Sequence, residues 1–203
     1  MARNTQPIVK RCRALGISPA VMGYTEKSKT GSTKRNPNGQ KRTKKSEYAT
    51  QLNEKQKVKF IYGILEKQFK MYYEKAAKAS GVTGEVLLST IERRLDNVVY
   101  RLGFATTRKE ARQLVNHGHF TVNGKRVNIP SYLINKDDVI AVASGSTSKP
   151  RFKAMKEEGI VTVIPKWLER EKEELKGKVI AMPQRDDIDY EVSEHLIVEL
   201  YSK

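Results

Sequence analysis

The residues best placed to do chemistry are three cations that follow Thr107, namely Arg108, Lys109 and Arg112. Thr107 and Glu110 form the pattern of a capping box, in which each side chain bonds an amide of the first helical turn. We therefore expect a short helix to begin here. By the period of an α-helix the three cations share one face, and three apolar residues share another: Ala111, Leu114 and Val115. One face should dock on the protein, and the other should bind phosphate.

A hairpin with two more cations follows this helix. Gly118 should end the helix, because glycine adopts the left-handed conformation without steric cost. Asn123-Gly124 separates two strand-like runs and strongly indicates a type I′ turn. Lys125 and Arg126 come directly after the turn. A further strand at Val139 to Val142 would complete a small sheet against the helix.

We predict phosphate contacts from three groups of residues. The first group is the helix and hairpin cations with their polar neighbours: Arg108, Lys109, Arg112, Lys125, Arg126, Thr106, Gln113 and His117. The second group lies near the N-terminus: Lys10, Arg11, Arg13, Lys34, Arg35, Lys41, Arg42, Lys44 and Lys45. The third group lies on a later helix: Lys55, Lys57 and Lys59. Such contacts supply affinity through counterion release but carry little sequence information.

The positive charge is concentrated near the N-terminus. Of the net charge of +16, residues 1–45 carry +11, with 12 Lys and Arg against Glu26 alone. Residues 186–203 reverse this balance, with six acids against Lys203. This segregation favours a polyanion partner over an ordinary solvated face. A membrane surface is the weaker alternative, since residues 1–45 show no amphipathic stripe. We expect that segment to order on its partner.

Two long amphipathic helices are predicted after residue 46. In the first, apolar residues recur at spacings of three and four from Val58 to Ala76, and the helix should end at Gly81. The second should run from Thr83 to Gly103. Their polar faces carry seven cations: Lys55, Lys57, Lys59, Lys67, Lys70, Arg93 and Arg94. The two helices should therefore form a hairpin with basic outer faces.

The C-terminal part mixes strand and helix signals. The β-branched run Ile160 to Ile164 is predicted as a strand, anchored by the apolar pair Trp167 and Leu168. In the tail, the alternation of Leu196, Val198 and Leu200 fits a strand, whereas the spacing of four residues between Val192, Leu196 and Leu200 fits a helix. The pattern alone leaves both open.

Several classes of protein are disfavoured. The apolar runs fall far short of the ~20 residues that span a bilayer, and the N-terminus lacks the apolar region of a signal peptide. Cys12 is the only cysteine, so neither an intrachain disulfide nor a Cys-x-x-Cys pair is possible. No phosphate loop of the Walker type occurs. We expect a cytoplasmic protein with no cofactor, no membrane partner and no small-molecule substrate.

The helix, its basic face and the hairpin "VNGKRV" resemble the RNA-binding domain shared by small-subunit ribosomal protein S4, some pseudouridine synthases and a bacterial tyrosyl-tRNA synthetase. The longer run from "YATQLNEKQ" to "VNIPSY" is similar to the bacterial ribosomal protein S4 family, as is the ending "SEHLIVELYSK". The similarity covers residues 46–142 and resumes at the tail.

The resemblance implies an α+β fold. A helical lobe at 46–93, completed by the tail 181–203, would carry an inserted RNA-binding module at 94–180, made of short helices on a small, mainly antiparallel sheet. Residues 1–45 would be a basic extension. The resemblance also favours the helix for Val192 to Tyr201.

The resemblance further implies a primary binder of a 16S rRNA helix junction in the 5′ domain. Such a protein nucleates assembly of the 30S subunit, lies beside ribosomal protein S5 and contributes to mRNA entry and translational accuracy. Four cations would lie near the mRNA path: Lys41, Arg42, Lys44 and Lys45. Many members bind zinc through four N-terminal cysteines, but this segment has only Cys12, so the zinc-free form is expected.

Two other classes compete with this interpretation. Arg94-Leu95-Asp96 resembles the strip around the catalytic aspartate of some pseudouridine synthases. In those enzymes a large catalytic domain follows the RNA-binding module, whereas only 61 residues follow Val142 here. A structural ion pair of Asp96 with Arg93 explains the aspartate more simply. The third class, a free-standing RNA chaperone, needs neither the helical hairpin nor the tail. We therefore predict a binding protein and not an enzyme.

Overall fold

The computed structural model describes residues 7–24, 46–159, 162–171 and 175–202. Its helices and strands are α1 (Ile8–Leu15), α2 (Glu47–Tyr62), α3 (Glu66–Lys78), α4 (Thr83–Glu92), α5 (Leu95–Arg101), α6 (Arg108–Asn116), β1 (Phe120–Val122), β2 (Lys125–Arg126), β3 (Val139–Val142), α7 (Ser144–Thr147), α8 (Pro150–Glu158), β4 (Leu168–Glu171), β5 (Lys176–Val179) and α9 (Glu194–Ser202). The predicted α+β class is confirmed. Six of the predicted contact residues lie outside the described ranges: Lys34, Arg35, Lys41, Arg42, Lys44 and Lys45.

The chain divides into two compact units. One contains residues 1–65 and 190–203, and the other contains residues 66–189. In the first unit α9 packs along α2, with Ile197 fully buried. The backbone amide of Ser193 donates to Oε2 of Glu54 at 3.3 Å, which ties the start of the tail to α2. The tail is a helix, as the resemblance implied.

The first long helix is divided at Gly63, and the prediction of one continuous helix up to Gly81 is wrong. Gly63 has a φ of 63°, and the amide of Ile64 donates to the carbonyl of Lys59. This is the geometry by which glycine closes a helix. The apolar spacing continues across the break into α3, so periodicity alone could not reveal it.

The second long helix is also divided, at Arg94, which takes an extended conformation between α4 and α5. Backbone carbonyls of a distant loop replace the helical bonds that are lost. The amide of Leu95 donates to Tyr132 at 2.8 Å, and that of Asp96 donates to Pro130 at 3.1 Å. The break therefore arises from tertiary contacts, which the helical period of the sequence does not encode.

The second unit contains a five-stranded antiparallel sheet with the order β2-β1-β3-β5-β4. The predicted turn is confirmed, since Asn123 and Gly124 have φ values of 50° and 78°. The predicted strand at Ile160 to Ile164 is wrong for residues 162–164, which are irregular; the chain forms β4 a few residues later. Trp167 and Leu168 are both buried, as predicted.

Aromatic side chains form the centre of the second unit. Phe120 of β1 stacks on Phe104, with ring centroids 5.8 Å apart, and meets Phe152 of α8 edge-on at 6.2 Å. Ala111 and Val115 of α6 belong to the same buried cluster. The apolar side of α6 therefore docks as the sequence predicts, and this docking fixes the helix against the sheet.

Ile197→Ala tests how strongly α9 holds the first unit together. We expect the free energy of unfolding to fall by about 2–5 kcal/mol, because the change leaves a cavity at a fully buried site. The exposed neighbour His195 supplies the control. His195→Ala should change the free energy of unfolding by less than about 0.5 kcal/mol. Urea unfolding measures both. A loss for Ile197→Ala as small as that of the control would show that α9 contributes no core.

Candidate nucleic-acid interface

The start of α6 is held by two side chains. The hydroxyl of Thr107 accepts the amide of Glu110 at 3.2 Å, which confirms the predicted cap. The Glu110 carboxylate bonds the amide and the hydroxyl of Thr106 instead of the Thr107 amide, and it also pairs with Arg151 of α8. Burial alone would raise the pKa of Glu110, but these bonds outweigh it and lower the pKa. Hydrogen bonds from Thr106 and the ion pair with α8 therefore hold this end of the helix in place.

Arg108 points inward, and its predicted exposure is wrong. It is only 6% exposed, its Nε donates to Oδ1 of Asn97 at 2.8 Å, and its guanidinium lies 4.4 Å from the centroid of the Tyr100 ring. Arg108 precedes Ala111 by three residues and Val115 by seven, so it lies on the docking side of α6. That spacing was the signal in the sequence.

The exposed face of α6 consists of Lys109, Gln113 and Asn116, which follow one another at spacings of four and three. Asn116 was not among the predicted residues. Arg112 lies at the edge of this face, with 28% of its side chain exposed, and its Nη1 lies 3.3 Å from Oδ2 of Asp96. The face thus presents the exposed cation of Lys109, the partly exposed cation of Arg112 and two side-chain amides.

Asp96 is the centre of a buried ion cluster at the start of α5. Arg94 donates to its two carboxylate oxygens at 3.0 and 2.7 Å and to the hydroxyl of Tyr72 at 2.8 Å. Arg93, the partner that the sequence suggested, bonds Asn135 instead, so that prediction is wrong. Burial would lower the pKa of Arg94, but Asp96 and Tyr72 raise it.

A second buried cluster lies beside the first. Nη2 of Arg101 lies 2.8 Å from Oε1 of Glu92, and its Nη1 lies 2.8 Å from Oδ2 of Asp189. The side chain of Asn97 donates through Nδ2 to the Glu92 carboxylate, and its Oδ1 accepts a hydrogen bond from Nε of Arg108. Burial opposes ionisation of both partners, but their pairing raises the pKa of Arg101 and lowers that of Asp189. Asn97 thereby links α4 to the first turn of α6.

The hairpin is tied to the end of α6 through Arg126. Its Nε donates to the carbonyl of Gly118 at 2.7 Å, and its Nη2 donates to that of His117 at 3.1 Å. A cation suits this position because it meets the negative end of the helix dipole. On the other side of the turn, Nδ2 of Asn123 donates to Asp138 at 2.7 Å. The turn is therefore rigidly placed, and it holds Lys125 exposed.

The two histidines after α6 differ. His117 is exposed, whereas His119 is 9% exposed. Nδ1 of His119 lies 2.9 Å from Oγ of Ser146, and its Nε2 lies 3.4 Å from Nζ of Lys149. The pKa of His119 is lowered, first by burial and then by the charges of Lys149, His117 and Arg126. Only His117 is placed to meet a ligand.

The predicted contacts near the N-terminus and on α2 lie in the first unit. Lys10 and Arg13 of α1 are exposed, and Arg11 is half-buried. Three cations of α2 are half-buried: Lys55, Lys57 and Lys59. Nζ of Lys57 lies 2.6 Å from Glu54, and Nζ of Lys55 lies 5.2 Å from the centroid of the Tyr201 ring. Part of the charge on α2 thus serves its own fold.

Comparison with known proteins identifies the family. An "S4 domain" model matches residues 93–140, and a "Ribosomal protein S4/S9 N-terminal domain" model matches residues 3–92. Small ribosomal subunit protein uS4 of Caldicellulosiruptor saccharolyticus is 56% identical over 208 aligned residues and 100% of both chains. The chain belongs to the uS4 family. Further uS4 relatives, each covered over 100% of both chains, occur in Ruminiclostridium cellulolyticum at 55% identity and in Fusobacterium nucleatum at 49%.

Membership of the uS4 family confirms the resemblance and the coarse function. The chain is a structural, RNA-binding protein of the small ribosomal subunit and not an enzyme. The alternative role for Asp96 as a catalytic residue has no geometric support either, since its carboxylate is occupied by Arg94 and Arg112.

Within the described ranges, no helix is long and apolar enough to cross a membrane, and no group of three or more His, Cys, Asp or Glu side chains could hold a metal ion. Cys12 is buried in α1, and burial raises the pKa of its thiol. The absence of zinc stays a prediction for the whole chain.

Arg101→Met tests the second buried cluster. We expect the free energy of unfolding to fall by about 3–5 kcal/mol, because the change leaves Glu92 charged, buried and without its guanidinium. The double variant Arg101→Met with Glu92→Gln leaves no such charge and should lose less. Lys109→Met, on the exposed face, is the control. Equal losses in the single and double variants, measured by urea unfolding, would refute the pairing.

The buried imidazole of His119 predicts a loss of stability in mild acid. In the unfolded chain the His119 imidazole binds a proton at about pH 6.5. In the folded chain its pKa is lowered, so it binds the proton only at a lower pH. This contribution is fully present above about pH 6.5 and is lost as the pH falls through the folded pKa. His119→Gln cannot titrate and should show a shallower decline in urea unfolding across that interval. The same slope in both proteins would contradict a buried neutral His119.

Proposed function

We propose that the chain binds 16S rRNA mainly through the exposed face of α6 and the adjoining hairpin, at a helix junction in the 5′ domain. The observation that carries this proposal is the separation of two kinds of cation. Arg94, Arg101 and Arg108 are buried in internal pairs and contacts. Lys109 and Lys125, by contrast, are exposed on α6 and β2, two elements that side-chain hydrogen bonds hold in place. Rigidly held, exposed cations are suited to meet phosphates at fixed positions.

Binding on this surface combines charge with shape. Lys109 and Lys125 supply affinity by displacing counterions from phosphates. Gln113, Asn116 and His117 add hydrogen-bonding groups within the same surface, which suit backbone and 2′-hydroxyl contacts in the shallow minor groove of RNA. Because the deep major groove is closed to side chains, the rigid placement of these groups selects a shape and not a base sequence.

Membership of the uS4 family supports a finer role. The chain would be a primary rRNA binder that nucleates assembly of the 30S subunit. It would consist of a basic extension at 1–45, a helical lobe at 46–93 with the tail 181–203, and an RNA-binding module at 94–180. Protein S5 and mRNA near its entry channel are the further partners, and cations such as Lys41 and Lys45 would lie near the mRNA. The charge of +11 on residues 1–45 supports a polyanion contact there.

The charge-reversal variant Lys109→Glu with Lys125→Glu tests this proposal on a 16S 5′-domain RNA fragment. We expect binding to weaken by roughly tenfold or more, and the slope of log affinity against log salt to decrease in magnitude by roughly two, because two phosphate contacts are lost. Stability should be unchanged, since both side chains are exposed.

Lys78→Glu with Lys166→Glu is the matched control, because it makes the same charge change at exposed positions of the same unit. Wild-type affinity and an unchanged salt slope in the Lys109 and Lys125 variant would remove this surface from the interface. Arg108 is unsuitable for the experiment, because its replacement would disturb the contact with Asn97.

A further inference from the structure

A cavity separate from the α6 interface lies among α7, α8 and the start of β5. Its volume is about 480 Å³, within the usual range for small-ligand sites of about 300–1,000 Å³. The described residues that line it are Thr147, Phe152, Lys153, Lys156, Glu157, Leu175 and Lys176. None of them belongs to the surface formed by α6 and the hairpin.

The charge of this cavity selects an anion. Among the described residues that line it, three are lysines and one, Glu157, is an acid. Lys153 and Lys156 lie one turn apart on α8 and are exposed, so their ammonium groups can approach one ligand together. Within the described residues, neither takes part in an ion pair. Two exposed cations beside one cavity, neither of them paired within the described part of the chain, fit a phosphate group.

The wall behind the lysines is apolar. It includes the buried side chains of Phe152 and Leu175, and the aliphatic stems of Lys153 and Lys156 add further apolar surface. Leu175 has a φ of 50°, a conformation that leucine rarely adopts. It is held there by its buried side chain and by its carbonyl, which accepts the amide of Val142 at 3.2 Å. Strained residues of this kind cluster at ligand sites.

We propose that this cavity binds a nucleotide unit. The phosphate contacts Lys153 and Lys156, and the base lies against the apolar wall. A free mononucleotide and a nucleotide within an RNA strand share this chemistry. The site goes beyond the proposed 5′-domain interface, because no residue is common to both.

Calorimetric titration of the full chain with adenosine monophosphate, with a short single-stranded oligoadenylate and with inorganic phosphate tests the proposal. The variant Lys153→Gln with Lys156→Gln should weaken nucleotide binding by about tenfold or more, since it removes two charge-assisted contacts. Thr147→Phe, which fills the cavity from an exposed position without a change of charge, should weaken it as well.

Lys67→Gln with Lys70→Gln is the matched control, because these exposed lysines have the same spacing on α3. It should bind as wild type. Binding of the mononucleotide alone would identify a free ligand, and much tighter binding of the oligonucleotide would identify an RNA strand.

Three results would overturn the proposal. The first is wild-type nucleotide binding by the Lys153 and Lys156 variant. The second is binding of inorganic phosphate as tight as that of adenosine monophosphate, which would remove any role for the base. The third is competition by polyglutamate as effective as that by the oligonucleotide, which would indicate a site for acidic peptides.

Discussion

The buried charges where α4, α5 and α6 meet are the constraint on which the interface depends. Arg94 closes on Asp96 with two hydrogen bonds, Arg101 joins Glu92, and Asn97 connects Glu92 with the first residue of α6. A buried charge that loses its partner costs several kcal/mol. These pairs therefore permit few alternative arrangements of the helices and fix the direction in which the outer face of α6 points.

This arrangement decides which cations can reach RNA. Arg94 and Arg101 neutralise internal carboxylates, so they add little to the electrostatic field at the surface. The exposed lysines of α6 and β2 remain, together with Arg126, which also caps the end of α6. A basic sequence motif thus divides into charges that stabilise the fold, such as Arg108, and charges that are exposed at the surface, such as Lys109, although the two residues are consecutive in the chain.

Local signals predicted the local features. The cap at Thr107, the turn at Asn123-Gly124 and the docking side of α6 all follow from a few neighbouring residues. The break at Arg94 did not follow, because it depends on carbonyls of a loop far away in the sequence. The burial of Arg108 runs against its charge but agrees with its spacing of three and seven residues from the buried Ala111 and Val115. The strand predicted before Trp167 failed because β-branched composition does not specify a pairing partner.

The most direct test of this account is residue-specific chemical modification of the protein, free and bound to the 16S 5′-domain RNA fragment, with the sites read by mass spectrometry. Arginine and lysine reagents report which side chains are accessible in each state. The account predicts that Arg94, Arg101 and Arg108 are unreactive in both states, whereas Lys109 and Lys125 react in the free protein and become protected on binding. An Arg108 that reacts when free and is protected by RNA would contradict it.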